Sequence, residues 1–346
     1  MSGRRRALAF SAPGEAEIIE ERLPAPGPKE LLVEAICSGV SAGTELLVYR
    51  GEAPEGLAVD ETIPSLSGGF TYPIRYGYAL VGRVAAVGPE GEESLAGRRV
   101  FCFHPHASHA VLPQEAVIPL PEQMPAERAV FLPNMETAVN LLLDGAPLIG
   151  EQVAVFGLGV VGLLTALLLA RQLRGGVVAV EPLEYRRQLA RSLAPEVSCL
   201  APGELVPPES GYSGPFLAMH RSYPGFDLVY ELSGRPESLD TALGATGFDG
   251  RLVLGSWYGR KRASVDLGGR FHRARQRIIS SQVSTIRSDL SGRWDSRRRL
   301  ATALTLLEEF PLERLVTHEL ALSDAPEAYR RLAHGEPGLM QMVFRY

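Results

Sequence analysis

Between Ala7 and Leu120, short apolar runs are separated by glycine, proline and charged residues: Ala7–Phe10, Leu31–Ala35, Gly82–Val87, Arg99–Phe103 and Ala116–Leu120. Runs this short, closed by turn formers, predict strands and a β-rich first part. After Ala126 the pattern changes. Ala129–Leu143 carries apolar residues at helical spacing. Four apolar runs then alternate with helix-like stretches, at Val153–Phe156, Val177–Val180, Leu228–Glu231 and Arg251–Leu254. Such alternation predicts a parallel, doubly wound α/β sheet. Ala201–Gly225 is rich in Pro, Gly and Ser and reads as a surface excursion before the strand Leu228–Glu231. Trp294–Leu307 reads as an amphipathic helix and Met340–Phe344 as a last strand, and no repeat at solenoid spacing is present.

One junction carries chemistry. The run Val153–Gly162, V-A-V-F-G-L-G-V-V-G, feeds a buried strand through a three-glycine turn into an apolar helix. Gly157 permits a tight turn, Gly159 removes the side chain that would hold backbone away from a pyrophosphate, and Gly162 lets helix and strand pack closely. Gly157, Leu158, Gly159, Val160, Val161 and Gly162 are therefore candidate cofactor contacts, with the helix N-terminus offering free N–H groups to phosphate. Gly175-Gly176 closes the helix, and the next strand ends at Glu181, where a ribose-binding carboxylate belongs. Glu181 favours NAD(H), because a carboxylate accepts both ribose hydroxyls and repels a 2′-phosphate; Arg186 and Arg187, one turn on, keep NADP(H) open. Ser233 and Gly234 close the strand Leu228–Glu231, and Gly255, Ser256 and Trp257 the strand Arg251–Leu254. Strand C-termini are where open sheets bind ligands, so these five residues join the cofactor candidates. Asn134 reads as the cap of the preceding helix, with Thr137 near the nicotinamide.

Composition narrows the alternatives. The chain has 346 residues, a length that suggests two domains, and 45% of them are hydrophobic. Its net charge of −5 gives no electrostatic case for nucleic acid or an anionic membrane surface. Arg4-Arg5-Arg6 would suit a leader, but Ala7–Ala12 is too short for an apolar core, and no apolar run approaches a membrane span. A cytoplasmic location is expected. Cys37, Cys102 and Cys199 are far apart and cannot supply a four-thiolate zinc lobe.

A β-rich first part, an inserted G-x-G-x-x-G domain and a return of the chain to the first domain resemble the medium-chain dehydrogenase/reductases. The marks are Ser38-Gly39-Val40-Ser41-Ala42-Gly43-Thr44-Glu45, then Tyr76-Gly77-Tyr78 before Val81–Val84, and the dinucleotide turn. The first two stretches also resemble the bacteriochlorophyllide hydroxyethyl dehydrogenase branch. The resemblance implies a doubly wound parallel Rossmann sheet (129–287) inserted into a GroES-like β-rich catalytic domain (1–128 and 288–346). It also implies a homodimer joined through an edge of the Rossmann sheet, and a small-molecule substrate.

Zinc-using members of that family carry ligands where this chain has Ser41, Tyr78-Ala79 and a residue near Pro133. Hydroxyls are poor zinc donors beside Cys, His and carboxylate, and proline is none. The expectation is a chain without zinc, with the H-x-H-x-x-H spacing of His104, His106 and His109 as an alternative ligand set. Tyr78 and Thr44 occupy positions that the resemblance turns toward the reacting carbon; Ser41 and His104 complete the candidate catalytic set. Glu45 is expected to pair with an arginine. The reading is zinc-independent hydride transfer between NAD(P)H and a carbonyl or secondary alcohol. Reduction of an enoyl or quinone C=C bond, and a dinucleotide-binding sensor without turnover, remain open alternatives.

Overall fold

A computed structural model describes residues 3–60, 62–173, 175–206 and 222–346. The chain divides into two compact units, Met1–Pro133 with Leu304–Tyr346, and Asn134–Ala303. The sequence expectation placed these divisions at 128 and 288.

In the first unit, β1 (Arg4–Ala12) and β2 (Glu15–Arg22) form an antiparallel pair. The triple arginine thus belongs to a strand, whose following Ala7, Leu8, Ala9 and Phe10 are all buried. A seven-stranded sheet follows from β3 (Glu30–Gly39), β4 (Leu80–Val87), β5 (Arg99–Cys102), β6 (His109–Pro113), β7 (Val117–Pro119), β14 (Val316–Ala321) and β15 (Gln341–Arg345). Its order is β14-β15-β3-β4-β5-β7, with β6 also on β3. Val343 pairs with Gly39 and Phe344 with Ser38, so the distant end of the chain completes the sheet. One core lies where Phe10, Tyr49, Tyr76, Tyr329 and Phe344 cluster under the helices Ala42–Tyr49 and Ala325–Ala333.

The second unit holds six parallel strands in the order β10-β9-β8-β11-β12-β13. They are β8 (Val153–Phe156), β9 (Val177–Val180), β10 (Ser198–Leu200), β11 (Phe226–Glu231), β12 (Thr246–Leu254) and β13 (Arg277–Ser280). The order reverses between β8 and β11, which is the switch point of a doubly wound sheet. All four residues of β8 are buried, as a strand covered on both faces requires. The excursion expected over Ala201–Gly225 is described only at its ends; 207–221 lie outside the described residues.

The helix expected over Ala129–Leu143 begins instead at Leu132 and runs to Gly145, after a single turn at Ala126–Ala129. Pro133 explains the break: it has no N–H to donate, which costs nothing in a first turn and would cost a bond farther in. Asn134 is consequently inside the helix rather than its cap. Facing this helix, Arg299, 3% exposed, donates from Nη2 to Glu136 Oε1 at 3.0 Å and from Nη1 to Asn140 Oδ1 at 2.7 Å. Burial pushes the Glu136 carboxyl up, and the Arg299 guanidinium opposes that shift.

Removing one partner of such a pair leaves a buried charge alone. Arg299→Met should lower the stability of the second unit by about 3–5 kcal/mol in urea unfolding, and Glu136→Leu added to it should restore most of the loss.

Candidate functional site

The glycine turn of the second unit shows why its three glycines are where they are. Gly157 has φ +95°, and a Cβ on it would stand 2.7 Å from Ser233 Cα and 2.8 Å from the Leu232 carbonyl. A Cβ on Gly162 would stand 1.9 Å from the Gly157 carbonyl oxygen. Neither position tolerates a side chain. Gly159 differs: nothing lies within 4 Å of its missing Cβ, so its backbone faces open space beside the first turn of the helix Val160–Leu173. The N–H groups of that turn have no acceptor within the helix. Open backbone and unsatisfied donors together suit a phosphate, and a dinucleotide pyrophosphate fits these residues.

Glu181 directly follows β9 and is buried. Its Oε2 accepts from Leu158 N–H at 2.7 Å and its Oε1 from Leu183 N–H at 3.0 Å. The carboxylate therefore braces the glycine turn, and each oxygen keeps a further lone pair. Arg187 donates to the carbonyls of Glu181 and Pro182 and pairs with Glu184, so it secures the strand-to-helix connection. Arg186 Nη1 lies 3.8 Å from Glu181 Oε2.

At the end of β11 stands a second buried carboxylate, Glu231, which sequence reasoning missed. It accepts from Ser233 N–H at 2.9 Å, from the Ser233 hydroxyl and from Tyr258 O–H at 2.7 Å. The signal was present: both Glu181 and Glu231 are acids directly after a buried apolar strand. Burial and this carboxylate push the Tyr258 phenol far up. Gly234 N–H donates to Ser256 Oγ at 2.9 Å, and Gly255 N–H to the Glu231 carbonyl at 3.1 Å. Ser233, Gly234, Gly255 and Ser256 are thus brought together at the C-terminal ends of β11 and β12. Trp257 follows them, 38% exposed, and Thr137 is half-buried in the second turn of Leu132–Gly145.

In the first unit, Ser41 precedes the helix Ala42–Tyr49. The Tyr78 hydroxyl donates to Ser41 Oγ and lies 3.4 Å from Thr44 Oγ1. The three predicted hydroxyls therefore meet in a half-buried cluster. Burial raises the Tyr78 phenol to about 12, so it holds its proton throughout the neutral range. His104 does not join them: its Nδ1 is 2.8 Å from the Pro105 carbonyl.

Glu45 lies beneath that cluster with 0% exposure, and its partners are not arginines. Oε1 accepts from Ser41 N–H at 2.6 Å; Oε2 accepts from the Tyr329 hydroxyl and from His106 Nε2 at 3.0 Å. His106 Nδ1 in turn lies 2.6 Å from Ser38 Oγ, which is 2.7 Å from the Tyr346 hydroxyl. The site is fully buried, and taking the permanent charge of a guanidinium out of water is costly, which disfavours an arginine here. Donation from Nε2 leaves Nδ1 to accept from Ser38, and hydrogen bonds then run in one direction from Tyr346 to Glu45. Ser38, Tyr329 and Tyr346 were not legible as partners, because they come from β3, the helix Ala325–Ala333 and the residue following β15. His109 Nδ1 sits 3.0 Å from Ser108 Oγ. The three histidines therefore have separate partners, and among the described residues no group of three His, Cys, Asp or Glu is arranged to hold a metal.

No family model matches the chain. It is 25% identical to an L-threonine 3-dehydrogenase of Stenotrophomonas maltophilia (strain K279a), over 92% of this chain and 93% of that one. It is 26% identical to the 2-desacetyl-2-hydroxyethyl bacteriochlorophyllide A dehydrogenase of Cereibacter sphaeroides, over 98% of each. Among solved structures, a short chain alcohol dehydrogenase from E. coli CFT073, complexed with NADH, shares the fold with a TM-score of 0.74. The likeness covers all of both chains at 17% identity. No helix among the described residues is long and apolar enough to cross a membrane.

The glycines can be told apart experimentally. Gly162→Ala forces Cβ into a backbone carbonyl and should lower Tm by several degrees, a loss of about 2–4 kcal/mol, whereas Gly159→Ala should melt within about a degree of the parent.

Proposed function

We propose that this chain, which has the fold and the sequence likeness of the medium-chain dehydrogenase/reductases, is an oxidoreductase that transfers hydride between NAD(H) and a carbonyl or secondary alcohol of a small organic substrate without zinc. The observation that carries this reading is the cluster of Tyr78, Ser41 and Thr44, three joined hydroxyls of which Ser41 and Tyr78 stand at positions where zinc-using relatives would need ligands. A bound reduced nicotinamide supplies the hydride.

The chain's own residues supply the rest. Tyr78 O–H is a proton donor for an oxygen that gains negative charge, and its raised pKa keeps the proton in place until that charge develops. Ser41 Oγ accepts from Tyr78 and fixes the direction of the phenol. Thr44 stands beside it as a second hydroxyl. Glu45 holds the Ser41 backbone, so the cluster is preorganised rather than assembled on binding. A polar, donor-rich cluster suits C=O better than C=C chemistry.

On the cofactor side, Gly157–Gly162 is the pyrophosphate cradle, Glu181 the ribose acceptor, and Thr137, Ser233, Gly234, Gly255, Ser256 and Trp257 the remaining contacts. NAD(H) is favoured over NADP(H) because Glu181 would repel a 2′-phosphate and Arg187 is engaged with backbone and Glu184. Arg186, close to Glu181, completes the rim. A homodimer through the edge strand β13, where Ile278 is 39% exposed, and a cytoplasmic location belong to the same reading.

Reduction of a panel of ketones and aldehydes with NADH, after exhaustive chelation, tests the whole. Activity should survive, and metal analysis should find well under one zinc per chain; activity lost on chelation and restored by zinc would overturn the metal-free reading. Binding of NADH with no turnover across ketones, quinones and enoyl thioesters would favour the sensor.

Tyr78→Phe should reduce kcat by about 10²–10⁴-fold with NADH affinity unchanged. Glu181→Ala should weaken NADH relative to NADPH by about 1–2 kcal/mol in fluorescence titrations. The phenol's pH behaviour has a definite sign. Its folded pKa lies above the ordinary value near 10, so the unfolded chain ionises first. Stability from the buried neutral Tyr78 is complete below about pH 10 and lost toward about 12, and the basic limb of carbonyl reduction should show no Tyr78 ionisation below about pH 10.

A further inference from the structure

In the first unit a cavity of about 620 Å³ opens beside β1 and the segment joining β5 to β6, and none of Ser41, Thr44 and Tyr78 lines it. Its volume is that of a small-molecule site. One wall is apolar, formed by Ala7, Val111, Leu112 and the half-exposed ring of Phe103, which is held edge-on to Phe101 at 5.0 Å.

The polar side is unbalanced in charge. Arg5 Nε and Arg75 Nη1 both donate to Glu21 Oε1, at 2.9 and 2.8 Å. Arg5 Nη1 donates to the His109 carbonyl at 3.2 Å. Two guanidiniums share one carboxylate, which leaves one positive charge. Nη2 of each arginine has no hydrogen-bond partner among the described residues. Glu115, exposed at the rim, opposes ligands of higher negative charge such as nucleotides.

His104 contributes the remaining polar atom. A carbonyl only accepts, so the 2.8 Å contact with Pro105 puts the ring proton on Nδ1 and leaves Nε2 an acceptor. Burial, aided by the positive charges of Arg5 and Arg75, lowers the imidazole to about 4, so the ring is neutral at physiological pH.

We propose that this cavity binds a singly charged anion with an aromatic or otherwise apolar body and one hydrogen-bond donor. The anionic group meets Arg5 and Arg75, the body lies against Phe103, and the donor reaches His104 Nε2. This inference does not rest on the oxidoreductase reading, and its test is independent of turnover.

Indole-3-acetate has all three features and serves as the calorimetric probe, with the uncharged indole-3-acetamide beside it. The acid should bind with one site per chain, and the amide about tenfold more weakly. Arg75→Gln, at a side chain 46% exposed and so compatible with folding, should weaken the acid about tenfold and leave the amide unchanged. Ala116→Trp, which fills the cavity without altering charge, should abolish binding of both, while Tyr78→Phe and Glu181→Ala should alter neither. Absence of binding at millimolar probe, equal affinity for acid and amide, or an unchanged affinity in Arg75→Gln or Ala116→Trp with melting preserved would overturn the proposal.

Discussion

The close approach of the Gly157 carbonyl to residue 162, and of residue 157 to the Leu232–Ser233 backbone, leaves no room for a side chain at either position. That crowding fixes how β8, β11 and the helix Val160–Leu173 meet. Only with those three elements in contact do the ends of β8, β9, β11 and β12 converge at the point where the strand order reverses. The two buried carboxylates follow from the same geometry. Glu181 and Glu231 each turn back on the N–H groups of the connection beside them, converting flexible strand ends into fixed ones.

The first unit solves a comparable problem with side chains. Among the described residues Glu45 has no arginine or lysine partner, and its carboxyl group meets one backbone N–H, one phenol and one imidazole. A carboxyl group that accepts several hydrogen bonds in a dry interior is held rigidly. Because one of those donors is the N–H of Ser41, the rigidity extends to the hydroxyl that receives Tyr78. The histidines that flank Pro105 divide between two environments. His106 belongs to the interior network, whereas His104 turns to the wall of a separate cavity.

Local signals were the legible ones. The glycine spacing at 157, 159 and 162 and the uninterrupted apolar strands β8 and β9 could be read from residues alone, because each depends on neighbours within a few positions, whereas the hydroxyls at 41, 44 and 78 were singled out only by a resemblance with fixed spacing. β2, with alternating exposure and four glutamates, carries too little apolar character to be read as a strand; its pairing with β1 decides it. Pro133 shifted a helix start by three residues, since periodicity describes faces and not ends. The partner of Glu45 was misread for a different reason. An acid next to a hydroxyl-rich turn suggests an arginine on statistical grounds, but the choice depends on the burial that β15 and the helix Ala325–Ala333 impose from some 300 residues away.

That long separation has a consequence for how the molecule is made. Strand β3 finds its β15 partner, and Ser38 its contact with Tyr346, only after the whole of the intervening unit has been synthesised. On a ribosome the inserted α/β unit, whose sheet partners all lie within its own segment, emerges complete while the earlier β-rich segment still lacks β14 and β15. Until then the Cys37–Gly39 end of β3 presents an unpaired edge, which is the species a holding chaperone would meet.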